Sequence, residues 1–191
     1  TTIDCSTASA AVLSSKDLTI SGFTVRNSIG RGIVVNGAFL KASELFVRNT
    51  AETGIEINNG MLVLAESEVR DTVVGSGVVI INSDAVIVST TFRGCEGADG
   101  GGIFAKGSTV IGADVSFVGT SATNSGGAGW FEDTRFVLKD SLVSNSSASS
   151  QGGAFYFYGK RVSILHNVTI STSSAALGGA IYTDHDLTLR D

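Results

Sequence analysis

The 191-residue sequence has no proline, two cysteines, one methionine and one tryptophan, and only 16% of its residues are charged. Each shortage removes a class of protein. With no proline and no strict three-residue period, the 24 glycines are not those of a collagen helix. No apolar run approaches the roughly 18 residues that a membrane-spanning helix needs. Charged residues make up about 25% of an ordinary soluble domain, so this surface has to be built largely from Ser, Thr, Asn and Gly. The formal net charge is −5, and an acidic balance argues against a nucleic-acid partner. A hydrophobic fraction of 42% is too high for a disordered chain.

What is abundant is glycine, and it is periodic. Segments that open on glycine recur as Gly32-Ile33-Val34-Val35, Gly54-Ile55-Glu56-Ile57, Gly77-Val78-Val79-Ile80, Gly102-Ile103-Phe104, Gly127-Ala128-Gly129-Trp130, Gly153-Ala154-Phe155-Tyr156 and Gly179-Ala180-Ile181-Tyr182. By subtraction, their intervals are 22, 23, 25, 25, 26 and 26 residues, and periods of this size mark a solenoid, propeller or array. Ahead of each glycine lies another apolar-alternating stretch, among them Leu18 to Val25, Leu40 to Val47 and Val110 to Phe117. Alternation rich in Val, Ile, Phe and Thr is strand chemistry, because a half-buried pleated surface takes apolar side chains on one face only. Clusters such as Asn27-Ser28-Ile29-Gly30 and Asn58-Asn59-Gly60 are turn formers.

The chain therefore reads as all-β, a right-handed parallel β-helix of about seven coils of 22–26 residues with two strands each, in one segment over residues 1–191. Leucine-rich repeats share the period but need a leucine framework and one strand per repeat, and only twelve leucines are present. Left-handed hexapeptide helices need a six-residue sub-period, which is not visible. Terminal coils of a solenoid are ordinarily polar or capped. Thr2-Ile3 and Leu187 to Asp191 read as plain strand, so the segment is expected to belong to a longer β-helix or to stack end to end.

The series Gly178-Gly179-Ala180-Ile181, Gly152-Gly153-Ala154-Phe155, Gly126-Gly127-Ala128-Gly129 and Gly101-Gly102-Ile103 resembles the GGA[ILV] repeats of chlamydial polymorphic outer-membrane proteins. That family carries Phe-x-x-Asn before each repeat. Here Phe117-Val118-Gly119-Thr120, Leu142-Val143-Ser144-Asn145 and Phe92-Arg93-Gly94-Cys95 depart from that pattern. The resemblance covers residues 92–182 and implies a β-helical passenger domain with an adhesive role. The opening Thr2-Ile3-Asp4-Cys5 and Leu18 to Asn27 resemble the early coils of pectin-lyase-like β-helices, many of which are enzymes acting on polysaccharides.

Candidate chemistry is sparse. A polysaccharide lyase or hydrolase needs two or three clustered carboxylates, for Ca²⁺ or for acid and base, and in a coil these must come from one position in neighbouring repeats. Asp4, Asp17, Asp84, Asp114, Asp133, Asp140 and Asp184 are expected at different points of the repeat, as turn residues. Asp184-His185-Asp186 reads as a polar turn, and His166 as a strand residue. No catalytic residue, metal site or cofactor is assigned. Arg26, Arg48, Arg70 and Arg93 recur at intervals of 22, 22 and 23 and are expected to stack with about 4.8 Å between coils, as a column able to grip an anionic glycan or as a solvated face balanced by Glu44, Glu66, Glu68 and Asp71.

Asn27, Asn49 and Asp71 are expected to form a ladder in the turn that follows the arginines. A flat threonine array is broken by the sequence Thr19, Lys41, Val63, Val86 at one strand position. Asn145-Ser146-Ser147 and Asn167-Val168-Thr169 are N-glycosylation sequons. Cys5 and Cys95 lie about four coils apart, on the order of 19 Å at strand spacing, too far for a disulfide. The expected function is a non-enzymatic extracellular or cell-surface module, adhesin-like or structural, with end-to-end self-association and a glycan or cell-surface ligand as its partners. The alternatives are a subunit of an extracellular filament and a carbohydrate-active enzyme with its site outside these coils.

Overall fold

A computed structural model describes every residue from Thr1 to Asp191. The chain is a parallel β-helix: every strand pairing is parallel, and each joins a strand to the equivalent strand of the next coil. Three strand segments make one coil. The first face carries Thr2–Asp4, Thr24–Arg26, Phe46–Thr50 and Glu68–Thr72. The second face follows with Ala10–Ser14, Arg31–Asn36, Ile55–Asn58 and five more strands as far as Ile181–Thr183. The third opens with Leu18–Ser21, Phe39–Ser43 and Met61–Ala65. From Asp84–Arg93 onward, the third face and the following first face run together as one bent strand.

Two expectations change. The second face has eight strands, because Ala10–Ser14 forms an opening rung in which Ala11 stands level with Gly32. The repeat also holds three strands rather than two. The apolar alternation at Leu40 and Ala42 resumes out of phase at Leu45 and Val47, with Glu44 between them at φ 49°.

All fourteen non-glycine residues of positive φ fall in three such corner columns. The corner after the first face stacks Asn27, Asn49, Asp71, Gly94, Gly119, Asn145 and Thr172. The corner after the second stacks Gly37, Asn59, Asn82, Gly107, Asp133 and Gly159, and the corner after the third stacks Gly22, Glu44, Glu66, Ser89, Asp114, Asp140 and Asn167. The left-handed region is cheap for glycine and tolerable for Asn and Asp, whose short side chains bond locally. These columns explain the turn composition. They also explain why proline is missing: its fixed φ near −65° fits no such corner, and its lost N–H would break one of the 128 backbone hydrogen bonds that tie coil to coil.

The interior is a set of columns. Val25, Val47, Val69, Phe92, Phe117 and Val143 stack behind the first face. Ile57, Ile80, Ala105, Phe131 and Phe157 stack behind the second. Thirty-three buried residues form this one core. Each fully buried Val, Ile, Leu or Phe contributes about 1.5–3 kcal/mol, so the coils cohere through their shared interior as well as their ladders.

The glycine ladder needs a correction. Ile103 is level with Gly129, and Gly129 with Phe155. The column of Gly32, Gly54, Gly77 and Gly102 therefore continues as Ala128, Ala154 and Ala180, not as Gly127, Gly153 and Gly179. Those three belong with Gly101, one position earlier, where a Cβ on Gly127 would run into the carbonyl of Gly153 and the backbone of Ser147. The added residues of the long coils account for the shift. They lie between the first-face corner and the second face and form a further sheet of Glu96–Gly97, Ser121–Ala122 and Ser147–Ala148.

Candidate functional site

The four arginines stack as expected. Arg26 is level with Arg48, Arg48 with Arg70, and Arg70 with Arg93, all pointing outward from the first face because the intervening Val25, Val47, Val69 and Phe92 point in. The pattern extends by one residue that the periodicity did not reveal: Asp4 is level with Arg26 and heads the column. Its carboxylate accepts from Arg26 Nε at 2.8 Å and from Asn27 Nδ2 at 3.1 Å. The hydrogen bonds from Asn27 and then from Arg26 hold Asp4 below the usual carboxylate range.

The column is unevenly neutralised. Arg26 has Asp4, Arg70 Nε lies 3.5 Å from Asp71 Oδ2, and Arg93 Nε lies 3.8 Å from Glu68 Oε1. Glu44 and Glu66 pair with none of the four arginines; they occupy the corner ahead of the face. Arg48 has no carboxylate partner, and its Nε is buried without a hydrogen bond. Beside it, two residues earlier on the same strand, Phe46 is 48% exposed. Thr24, Phe46, Val47, Arg48, Glu68 and Arg70 line a cleft of about 270 Å³.

Asn27, Asn49 and Asp71 are level as expected, but the hydrogen-bonded ladder joins only the first two, Asn49 Nδ2 donating to Asn27 Oδ1 at 3.3 Å, while Asp71 turns to Arg70. The threonine array is absent, since Thr19, Lys41, Val63 and Val86 do share one outward position. A second outward column escaped the sequence reading. Phe104, Trp130, Tyr156 and Tyr182 are level on the second face, and their rings stack at centroid distances of 4.6, 6.1 and 5.4 Å with planes within 11°. An outward aromatic recurring every 26 residues was the available signal. Because the rings cover one another, the ladder presents edges to solvent and its flat faces stay within the stack.

The carboxylates are more aligned than expected. Asp114 and Asp140 occupy one corner position in neighbouring coils, between the matched pairs Ala113 with Lys139 and Ser116 with Leu142. Ser89 Oγ donates to Asp114 Oδ2 at 2.9 Å and Asn167 Nδ2 to Asp140 Oδ1 at 2.7 Å. They align because the left-handed corner selects Asp and Asn. No group of three or more His, Cys, Asp or Glu comes together in a metal-binding arrangement.

In Asp184-His185-Asp186, Asp184 Oδ1 accepts from Gly159 N at 3.1 Å. His185 Nε2 lies 3.2 Å from Ser163 Oγ, and its ring packs on Phe157. Burial lowers the His185 pKa, against the pull of Asp184 and Asp186. Ser163 is fully buried, so this Ser–His contact is closed to a substrate. His166, half-buried between Lys139 and Arg190 in register, leaves Nδ1 without a partner.

Both cysteines are free. Burial pushes the Cys95 thiol up to about 11, which makes it an inert core residue. Asn145 and Asn167 are exposed, each at a left-handed corner. No helix is long and apolar enough to cross a membrane. Compared with protein-family models, curated proteins and solved structures, the chain finds no match, so its function has to be read from its own residues.

Proposed function

We propose that the chain is a non-enzymatic extracellular or cell-surface module whose β-helix displays a binding face, an adhesin-like role. The observation that carries this reading is the arginine column. Four guanidinium groups repeat along one face of a rod whose strands are hydrogen-bonded on both sides, so their spacing is set by the backbone and costs little ordering on binding. A column of that kind suits an extended anionic partner better than a compact one. The resemblance of the Gly-Gly-Ala series to repeats of surface passenger domains supports the same reading.

The test is to incubate the purified chain with acidic polysaccharides, with and without Ca²⁺, and to follow both retention and chain length. Retention with unchanged chain length is the expected result. Cleavage would overturn the proposal in favour of a carbohydrate-active enzyme.

A further inference from the structure

We propose that Tyr156 and Tyr182 form an oxidative cross-linking site, at which a haem peroxidase using hydrogen peroxide joins their phenol rings through a carbon–carbon bond and staples two neighbouring coils.

The placing of the oxidisable rings comes first. The chain has ten phenylalanines but only three tyrosines and one tryptophan. Six of the phenylalanines are fully buried, whereas Trp130, Tyr156, Tyr158 and Tyr182 all occupy outward positions of the second face, in three consecutive coils. The need of their polar ends for water explains why they point out. It does not explain why one of three faces holds them all. Pairing of Phe155–Tyr158 with Ile181–Thr183 sets Tyr156 directly level with Tyr182, their ring centroids 5.4 Å apart and their planes inclined by 10°. Parallel strands keep the two backbones about 4.8 Å apart, so the ladder itself fixes the approach of the rings.

Only a pair of phenols can couple in this way, and the register supplies one such pair. Tyr156 stacks on Trp130 in the coil below and on Tyr182 in the coil above. Tyr158, 47% exposed, is level with Glu132 rather than with another phenol. Both rings of the pair are half-buried, and a stack that turns its edges to solvent leaves the phenol oxygen and the adjoining Cε carbons as the outermost atoms of each. Burial, then Asp184, raises the Tyr156 phenol above its usual range, so it reacts as the neutral phenol. Each ring gives one electron to the oxidised haem and its O–H proton to water. The two phenoxyl radicals then form one bond between a Cε of Tyr156 and a Cε of Tyr182. Each of those carbons loses its hydrogen as a proton, and each oxygen regains one. Hydrogen peroxide takes up the two electrons and two protons, so two phenols and one peroxide give one dityrosine and two waters.

The test is to treat the full chain, kept dilute, with a haem peroxidase and hydrogen peroxide and to follow dityrosine fluorescence and peptide masses. Trypsin cuts after Lys139, Lys160, Arg161 and Arg190, which places Tyr156 and Tyr182 in separate peptides, residues 140–160 and 162–190. The expected product is a monomer lighter by two hydrogens in which those peptides are joined. Oxygen added at the exposed Met61 raises the mass instead. Tyr156→Phe and Tyr182→Phe keep a ring in the stack and should each abolish the joined peptide, while Tyr158→Phe should leave it in place. The cross-linked monomer should melt at a higher temperature than the untreated chain, because a covalent link restricts the unfolded state.

Dityrosine confined to covalent dimers would overturn the proposal, and so would a joined peptide that survives Tyr156→Phe or disappears with Tyr158→Phe. Peptides that stay separate once the peroxide is consumed, with oxidation ending at Trp130, would overturn it as well. The arginine column lies on another face, so each of these outcomes leaves the adhesin-like reading standing.

Discussion

The coils before Phe92 and those after it solve one packing problem with different side chains. In the first group the interior columns are aliphatic: Val25, Val47 and Val69 behind one face, Ile57 and Ile80 behind another. In the second group six phenylalanines, Phe92, Phe117, Phe131, Phe136, Phe155 and Phe157, are fully buried. Phe131 and Phe136 stack at 4.0 Å, and Gly129 and Gly112 leave the room: a Cβ on Gly129 would lie 2.6 Å from Phe131, and one on Gly112 2.7 Å from Leu138. Coil length rises with side-chain size. From the first-face corner to the second-face column takes five residues, Asn27 to Gly32, in a short coil and nine, Gly119 to Ala128, in a long one. A longer perimeter encloses a larger cross-section, and close packing then demands larger side chains.

Core truncation should test this contrast most severely. Phe131→Ala is expected to cost about 3–5 kcal/mol, and Ile57→Ala, in the same interior column, about 2–4 kcal/mol. Both are read by denaturant unfolding, and a smaller cost for Phe131 would mean that the aromatic half is loosely filled. Next in size is a pair at one corner position. Gly127→Ser should destabilise by about 3 kcal/mol, because its Cβ meets backbone that cannot yield. Ser76→Gly, the level position in a short coil, should lose about 1 kcal/mol with the hydrogen bond from its Oγ to Asp99 O. Comparable losses would show that the two kinds of coil do not differ at this corner.

Acid should separate the ends by smaller amounts. His185 is held below its ordinary 6.5 by burial, so the folded chain binds that proton less readily than the unfolded one. Its contribution is complete above pH 6.5 and is lost as pH falls through the lowered value. Thermal melts between pH 7 and pH 5 should show the last coil weakening, and His185→Gln should flatten that slope. Asp4, held below its ordinary 3.8 by Asn27 and Arg26, contributes above that value and loses its contribution as pH falls through the lowered one. Being exposed to solvent, it should produce the smallest effect, a slope between pH 4 and pH 2 that Asp4→Asn removes. If that slope exceeded the one from His185, partial burial would not be what sets the difference between the ends.

Much of this was legible in the residues. Strand alternation, turn composition and the 22-residue interval of Arg26, Arg48 and Arg70 led to the fold class and to the arginine column. The glycine ladder was misread by one position at Gly127, because Gly-Gly-Ala offers two glycines to align. Only inter-coil pairing showed that Ala128 takes the place of Gly102. Asp4 was missed as the head of the column because a single residue has no period. The Phe104 to Tyr182 ladder was overlooked because its members differ in type while sharing a position.

The sequence by itself determined the repeat, the strands and the corner chemistry, because these depend on local propensity and on spacing along the chain. Which arginine is left without a carboxylate was decided only in three dimensions. Arg70 alone carries a local cue, the Asp71 that follows it; Arg26, Arg48 and Arg93 follow the same strand pattern with no adjacent carboxylate. For Arg26 and Arg93, neutralisation depends on side chains one coil away, Asp4 and Glu68. Stacking brings those partners within hydrogen-bond reach, and a Coulomb interaction acts on distance in space, not on separation in sequence.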